Sequence, residues 1–167
     1  MDERAVPTRS LGEQDFPVPP DDRYLEDYAV GAVYEFGYLT VSQEEIITFA
    51  RQFDPQSFHT DPAAATTGPF GGIIASGWHS AGLLMRLFAD HYLSTVASLG
   101  SPGIDELRWP APLRPGDSVR LRTTVLETRV SRSKPDRGLL WTTAELLTGN
   151  GVAVMTCRAM NMLRRRP

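Results

Sequence analysis

A chain of 167 residues, 41% of them hydrophobic, can build one domain with a substantial core and is too short for two of ordinary size. Its formal net charge of -3, with the basic residues dispersed over several segments, lacks the electrostatic footprint of a nucleic-acid binder. The single cysteine, Cys157, excludes an internal disulfide framework or a cysteine-rich metal site within one chain, and no segment reaches the apolar length of a membrane span or a signal region, so a soluble, cytoplasmic protein is expected.

Residues 1–22 mix charges with Pro7, Pro17, Pro19 and Pro20 and show neither helical nor alternating periodicity. They read as an N-terminal arm, flexible or laid over the domain by Phe16 and Val18, with the domain itself expected over residues 23–167. Val33 to Thr40 is rich in β-branched and aromatic residues and reads as a first strand. Ser42 with Glu45 three places on forms a capping box, and Ile46, Phe49, Ala50 and Phe53 follow at helical spacing. Pro55 pushes the residue before it out of the helical region, so the helix delivers Asp54 at a bend. Asp61 followed by Pro62 pairs an N-cap with a proline in the first helical position and starts a short turn through Ala65. Asp54 and His59 therefore share one short connection between helical pieces.

Gly68, Pro69, Gly71 and Gly72 make a permissive loop, and Ser76 is a good cap for a helix beginning at Gly77. From Gly77 to about Val96 the residues are apolar or small nearly all round, which predicts a helix buried on most sides. Four strand-like segments come next: Ile104 to Trp109, Ser118 to Val130, Leu139 to Leu147 and Val152 to Leu163. Gly149-Asn150-Gly151 is a hairpin signal between the last two. Val119, Leu121, Thr123 and Val125 alternate with Arg120, Arg122 and Thr124, as in a strand with one buried face. One strand, helical insertions, an apolar helix and four antiparallel strands give an α+β protein: a single hot dog domain whose antiparallel sheet wraps a long central hydrophobic helix.

The stretch from Phe49 to Leu87 concentrates the chemistry. A carboxylate and an imidazole in one loop can share a water, while the first amides of a helix offer a site for a developing oxyanion. Taken one at a time, Asp54 and His59 have a plainer reading as a helix-end carboxylate and a packed histidine. His79 stands where it would line an acyl pocket or simply pack, His91 falls toward the outer end of the helix, and Trp78 and Trp109 read as core or interface aromatics. A metal site built from His59, Asp61 and His79 has little support, because His-x-Asp is common by chance and no cysteines accompany it. The terminal run Arg164 to Arg166 reads as a solvated tail, and Arg129, Arg132, Lys134 and Arg137 as a solvated hairpin connection.

In order, these residues resemble the MaoC-like dehydratases and (R)-specific enoyl-CoA hydratases. The resemblance rests on Asp54, four residues and His59; on Asp61-Pro62-Ala63-Ala64; on Phe70-Gly71-Gly72; on Ile74-Ala75-Ser76-Gly77 opening the helix; and on Leu113-Arg114-Pro115-Gly116-Asp117 before a long strand. It covers roughly Tyr24 to Leu163. It implies hydration of an enoyl thioester or the reverse elimination, with Asp54 and His59 as the catalytic pair and the Gly77 amide as oxyanion donor. Ser76, Trp78 and His79 are further candidates for oxyanion or substrate binding. Coenzyme A enters as part of the substrate, with no other cofactor and no metal, and Arg108, Arg114, Arg132 and Lys134 are candidates to meet its phosphates. The resemblance also implies a homodimer, extending to a dimer of dimers, with no nucleic-acid or membrane partner. A hot dog acyl-CoA thioesterase and a non-catalytic acyl-CoA-binding module are the alternatives.

The chain departs from the family's commonest form in three places. Pro55, Gln56, Ser57 and Phe58 fill a gap that usually carries an asparagine, so the hydrogen bonding of that loop is expected to differ. Ser76 stands where a histidine often precedes the helix-opening glycine, and Met85 where some hydratases have a serine.

Overall fold

The computed structural model describes residues 16–167. Five antiparallel strands form one sheet in the order β1-β3-β4-β5-β2: β1 (Val33–Thr40), β2 (Gly103–Arg108), β3 (Ser118–Val130), β4 (Arg137–Thr148) and β5 (Ala153–Arg164). Between β1 and β2 the chain forms α1 (Gln43–Phe53), the short α2 (Ser57–Thr60), α3 (Pro62–Thr67) and α4 (Gly77–Leu87). This is the hot dog architecture, with α4 packed against the inner face of the sheet.

The alternation expected in β3 is realised: Val119, Leu121, Thr123 and Val125 are buried while their neighbours are partly exposed. Leu121, Leu140, Ala144 and Leu146 from the sheet meet Leu84 and Leu87 of α4 in a single core. At about 25 cal/mol per Å² of buried apolar surface, this contact, rather than local propensity, supplies most of what holds α4 in place. Ser42 and Glu45 close their capping box at the start of α1, and Asp61 accepts from the amides of Ala63 and Ala64 at the start of α3. The helical turn there runs two residues beyond Ala65 to Thr67.

The central helix differs from its expected form in two respects. It does not continue to Val96: regular α-helix ends at Leu87, and one π-helical turn, Phe88–Tyr92, completes it. The stop comes from distant groups. Arg23 donates to the carbonyls of His91 and Tyr92, at 2.7 Å each, and the Tyr28 hydroxyl donates to the carbonyl of Tyr92 at 2.8 Å. Ser94 then accepts from the amides of Val96 and Ala97, which begins a new turn. Nor is the helix covered on most sides within the chain, since Trp78, Gly82, Met85 and Arg86 face outward.

Residues 1–15 of the expected arm lie outside the described residues. From Phe16 onward the chain packs: the Phe16 ring stacks on Tyr34 with centroids 4.5 Å apart and lies under the Arg23 guanidinium. Of the C-terminal arginines expected as a solvated tail, Arg164 ends β5, and Arg165 and Arg166 are paired. Arg165 reaches Glu26, and Arg166 reaches Asp22 and Asp27 while lying over the Tyr24 ring. Arg137 pairs with Asp136 in the β3–β4 connection, and Arg129 lies over Trp141.

Candidate active site

Asp54 ends α1 as its C-cap residue, with non-helical backbone, as Pro55 requires. An anion at the C-terminal end of a helix opposes the helix dipole, so the position has a local cost. Two neighbours compensate for it. The Gln56 side-chain amide donates to Oδ1 at 2.8 Å and the Ser76 hydroxyl donates to Oδ2 at 2.7 Å; His59 Nε2 lies 3.3 Å from the same Oδ2. The Ser76 hydrogen bond is the strongest of the influences holding the Asp54 carboxyl below the usual carboxylate range; burial opposes it, and Gln56 adds to it.

His59 is carried by α2 and is buried, with its ring turned toward Asp54. Its Nδ1 lies 2.7 Å from the carbonyl oxygen of Ile74. A carbonyl only accepts, so Nδ1 carries the hydrogen and the neutral ring presents a lone pair at Nε2. Nε2 and the carboxylate Oδ2 are then two acceptors facing each other, an arrangement that calls for a proton or the hydrogens of a water between them. The exposed approach is from the Asp54 side, where the carboxylate is 20% accessible against 5% for the imidazole. Phe58 packs edge-on against the His59 ring at 4.4 Å and against Phe70 at 5.3 Å, which walls the imidazole from solvent.

The segment leading into α4 is threaded between two fixed points. Ile74 donates its amide to the carbonyl of Phe58, and Ala75 donates to the carbonyl of Leu113. Leu113 belongs to the proline-glycine turn, where Asp117 accepts from the Arg114 amide and Gly116, at φ 86°, adopts a left-handed conformation that a side chain would disfavour. Ser76 emerges fully buried, caps α4 by accepting from the Trp78 amide at 3.2 Å, and donates to Asp54. Gly77 follows as the first helical residue.

Sequence position alone does not mark Trp109 for the site, yet it lies directly on Gly77. Its Nε1 donates to the Gly77 carbonyl at 2.9 Å, and a Cβ on Gly77 would stand 2.6 Å from its ring. The one local hint of this contact is a tryptophan beside a proline at an expected strand end. Trp78 meets Trp109 edge-on at 5.6 Å and is 60% exposed. His79 points toward α1, where it stacks on Phe49 at 4.7 Å; burial holds its imidazole below the usual value, with Glu45 opposing.

The remaining candidates divide by position. Arg114 donates to the Phe70 carbonyl at 2.8 Å and so borders the glycine loop, and Arg108, paired with Glu106, immediately precedes Trp109. Arg132 and Lys134 follow the far end of β3, a strand of 13 residues. The strand alone spans about 40 Å at the usual rise. Gln56, inside the gap where the family's asparagine is missing, supplies an amide donor to Asp54 all the same. Among the described residues no three His, Cys, Asp or Glu side chains cluster as a metal site would need, and no helix is long and apolar enough to cross a membrane.

The hot dog fold thus brings a carboxylate and an imidazole together beside the start of its central helix. The family profile described as "MaoC like domain" matches residues 27–140, and this chain belongs to that family. The 3-hydroxyacyl-thioester dehydratase Z of Mycobacterium tuberculosis is 32% identical over 147 residues, 84% of this chain and 94% of that protein. Among solved structures, the MaoC-like dehydratase from Rhodospirillum rubrum superposes with a TM-score of 0.81 at 40% identity, covering 87% of this chain and 99% of the other. The (R)-hydratase PhaJ1 from Pseudomonas aeruginosa gives a TM-score of 0.68 at 23% identity, over 86% of each chain, a likeness of fold alone.

Proposed function

We propose that this protein adds water to, or removes it from, the 2,3 bond of an acyl-coenzyme A thioester, as an enoyl-CoA hydratase or 3-hydroxyacyl-CoA dehydratase. The observation that carries the reading is the 3.3 Å approach of Asp54 Oδ2 and His59 Nε2 with the His59 tautomer set by Ile74. In hydration, His59 Nε2 takes a proton from a water held by the pair as the water oxygen bonds to C3. The electrons of the double bond move through C2 onto the thioester oxygen, which the Gly77 amide at the positive end of α4 holds. A proton returned from the pair to C2 completes the addition of H and OH and restores both side chains. Elimination is the same path reversed, and neither direction needs an electron acceptor.

The active unit in this reading is a homodimer that joins the open edge of β2, with the coenzyme A phosphates meeting arginines near the helix start, Arg108 and Arg114 first. A cytoplasmic setting belongs to the same reading and agrees with a lone, buried thiol at Cys157.

The test is a paired assay on short and medium trans-2-enoyl-CoA substrates, following loss of the conjugated double bond and release of free thiol side by side. Wild type is expected to remove conjugation without releasing thiol, and His59→Ala or Asp54→Asn to lose about 100-fold to 10,000-fold of that rate with the fold intact by circular dichroism. Thiol release as the main event would place the protein with the thioesterases, and unfolding of His59→Ala with full activity in Asp54→Asn would make the pair structural.

A further inference from the structure

We infer that Ser76 is a positioning residue whose buried hydroxyl ties the Asp54 carboxylate to the first turn of α4, holding the proton-handling pair and the Gly77 amide in one register. The inference rests on the hydration reading of the site. Ser76 is fully buried, and its Oγ makes two contacts of opposite sense. It donates to Asp54 Oδ2 at 2.7 Å and accepts from the Trp78 amide at 3.2 Å. A hydroxyl has one hydrogen. With that hydrogen on Asp54, Ser76 has none to give a thioester oxygen, which removes it from the oxyanion donors and leaves Gly77 in that role.

The oxygen that Ser76 holds is the one that faces His59, so the hydroxyl fixes which lone pairs of the carboxylate remain for the shared water or proton. The groups facing the carboxylate are the Gln56 amide from its own loop, the His59 ring from α2 and the Ser76 hydroxyl from the start of α4; His59 is the titratable one among them. Gln56 is local and exposed, whereas Ser76 reaches across 22 positions and is the contact that couples Asp54 to the helix. Removing it frees the carboxylate to rotate, withdraws a donor from its ionised form, and uncouples the geometry of proton transfer from that of the oxyanion.

The experiment compares kcat and KM for a short trans-2-enoyl-CoA across acid to neutral pH in wild type, Ser76→Ala, Ser76→Gly, Ser76→Thr and Asp54→Asn. Glycine is a tolerated N-cap residue, so Ser76→Gly removes the hydroxyl with the helix start preserved if Ser76→Ala fails to fold. The expected result is a kcat lower by about 10- to 100-fold in the alanine and glycine variants with KM changed by less than about threefold. Threonine should restore the rate. A loss carried by KM, or no recovery with threonine, overturns the positioning role while Asp54→Asn remains inactive. Wild-type turnover in Asp54→Asn overturns the reading of the site itself, and this inference with it.

Discussion

Gly77 has no room for a side chain, and the obstacle is the indole of Trp109 rather than backbone strain. A Cβ would lie 2.6 to 2.9 Å from three atoms of that ring. One side of Gly77 is thus already taken by protein. If the Gly77 amide holds the thioester oxygen as proposed, Gly77→Ala is expected to lower hydration by about 100-fold or more, by displacing that amide. Adding Trp109→Ala to that variant should recover part of the loss, because the clash disappears. Equal rates in the single and double variants would show that the indole is not what excludes the methyl group. At the same scale, the departure in the loop still puts an amide beside the carboxylate: Gln56, two residues after Asp54, donates to it.

Between elements, α1 and α4 meet through the ring of His79 stacked at 7° on Phe49. Burial depresses the His79 pKa, so the fold favours the neutral imidazole. The stabilisation this brings is fully present above the unfolded value of about 6.5 and is lost as pH falls from there toward the folded value. Thermal melts of wild type should thus show Tm falling as pH drops below about 6.5, and His79→Phe, which keeps the stack, should show a shallower fall over the same window. Identical slopes would mean that His79 does not titrate with folding. Asp54, also depressed, contributes in the same sense at lower pH, where its loss comes as pH drops through the carboxylate range.

For the whole molecule, two features stand open. β2 is an edge strand, exposed at nearly every residue including Ile104 at 54%, and the outward face of α4 carries Trp78 and Met85 at 60% and 48%. Unpaired edges and apolar faces of this kind invite a second copy. Light scattering should accordingly return twice the mass of one chain, and Ile104→Arg, a charge on the edge, should shift the protein toward monomer with loss of turnover. A wild-type monomer with full activity would refute the dimeric arrangement of the site.

The sequence by itself determined the starts and faces of the elements, because those are set by groups a few residues apart. The Ser42–Glu45 box, the Asp61–Pro62 cap, the alternation in β3 and the bend at Asp54 all appear where the local chemistry places them. It also placed Asp54 and His59 between α1 and α3, where the structure adds the short helix α2 that carries His59. What the tertiary structure decided are the outcomes of competition among groups far apart in the chain. The end of α4 depends on Arg23, 69 positions from Tyr92; the use of the Ser76 hydroxyl depends on Asp54, 22 positions away; and the closure over Gly77 depends on Trp109, 32 positions away. A helix can run on or stop with little local difference in energy, and a hydroxyl can cap, bond a ligand or hold a carboxylate. Which of these happens is fixed only when the fold brings one partner within reach and excludes the water that would otherwise compete.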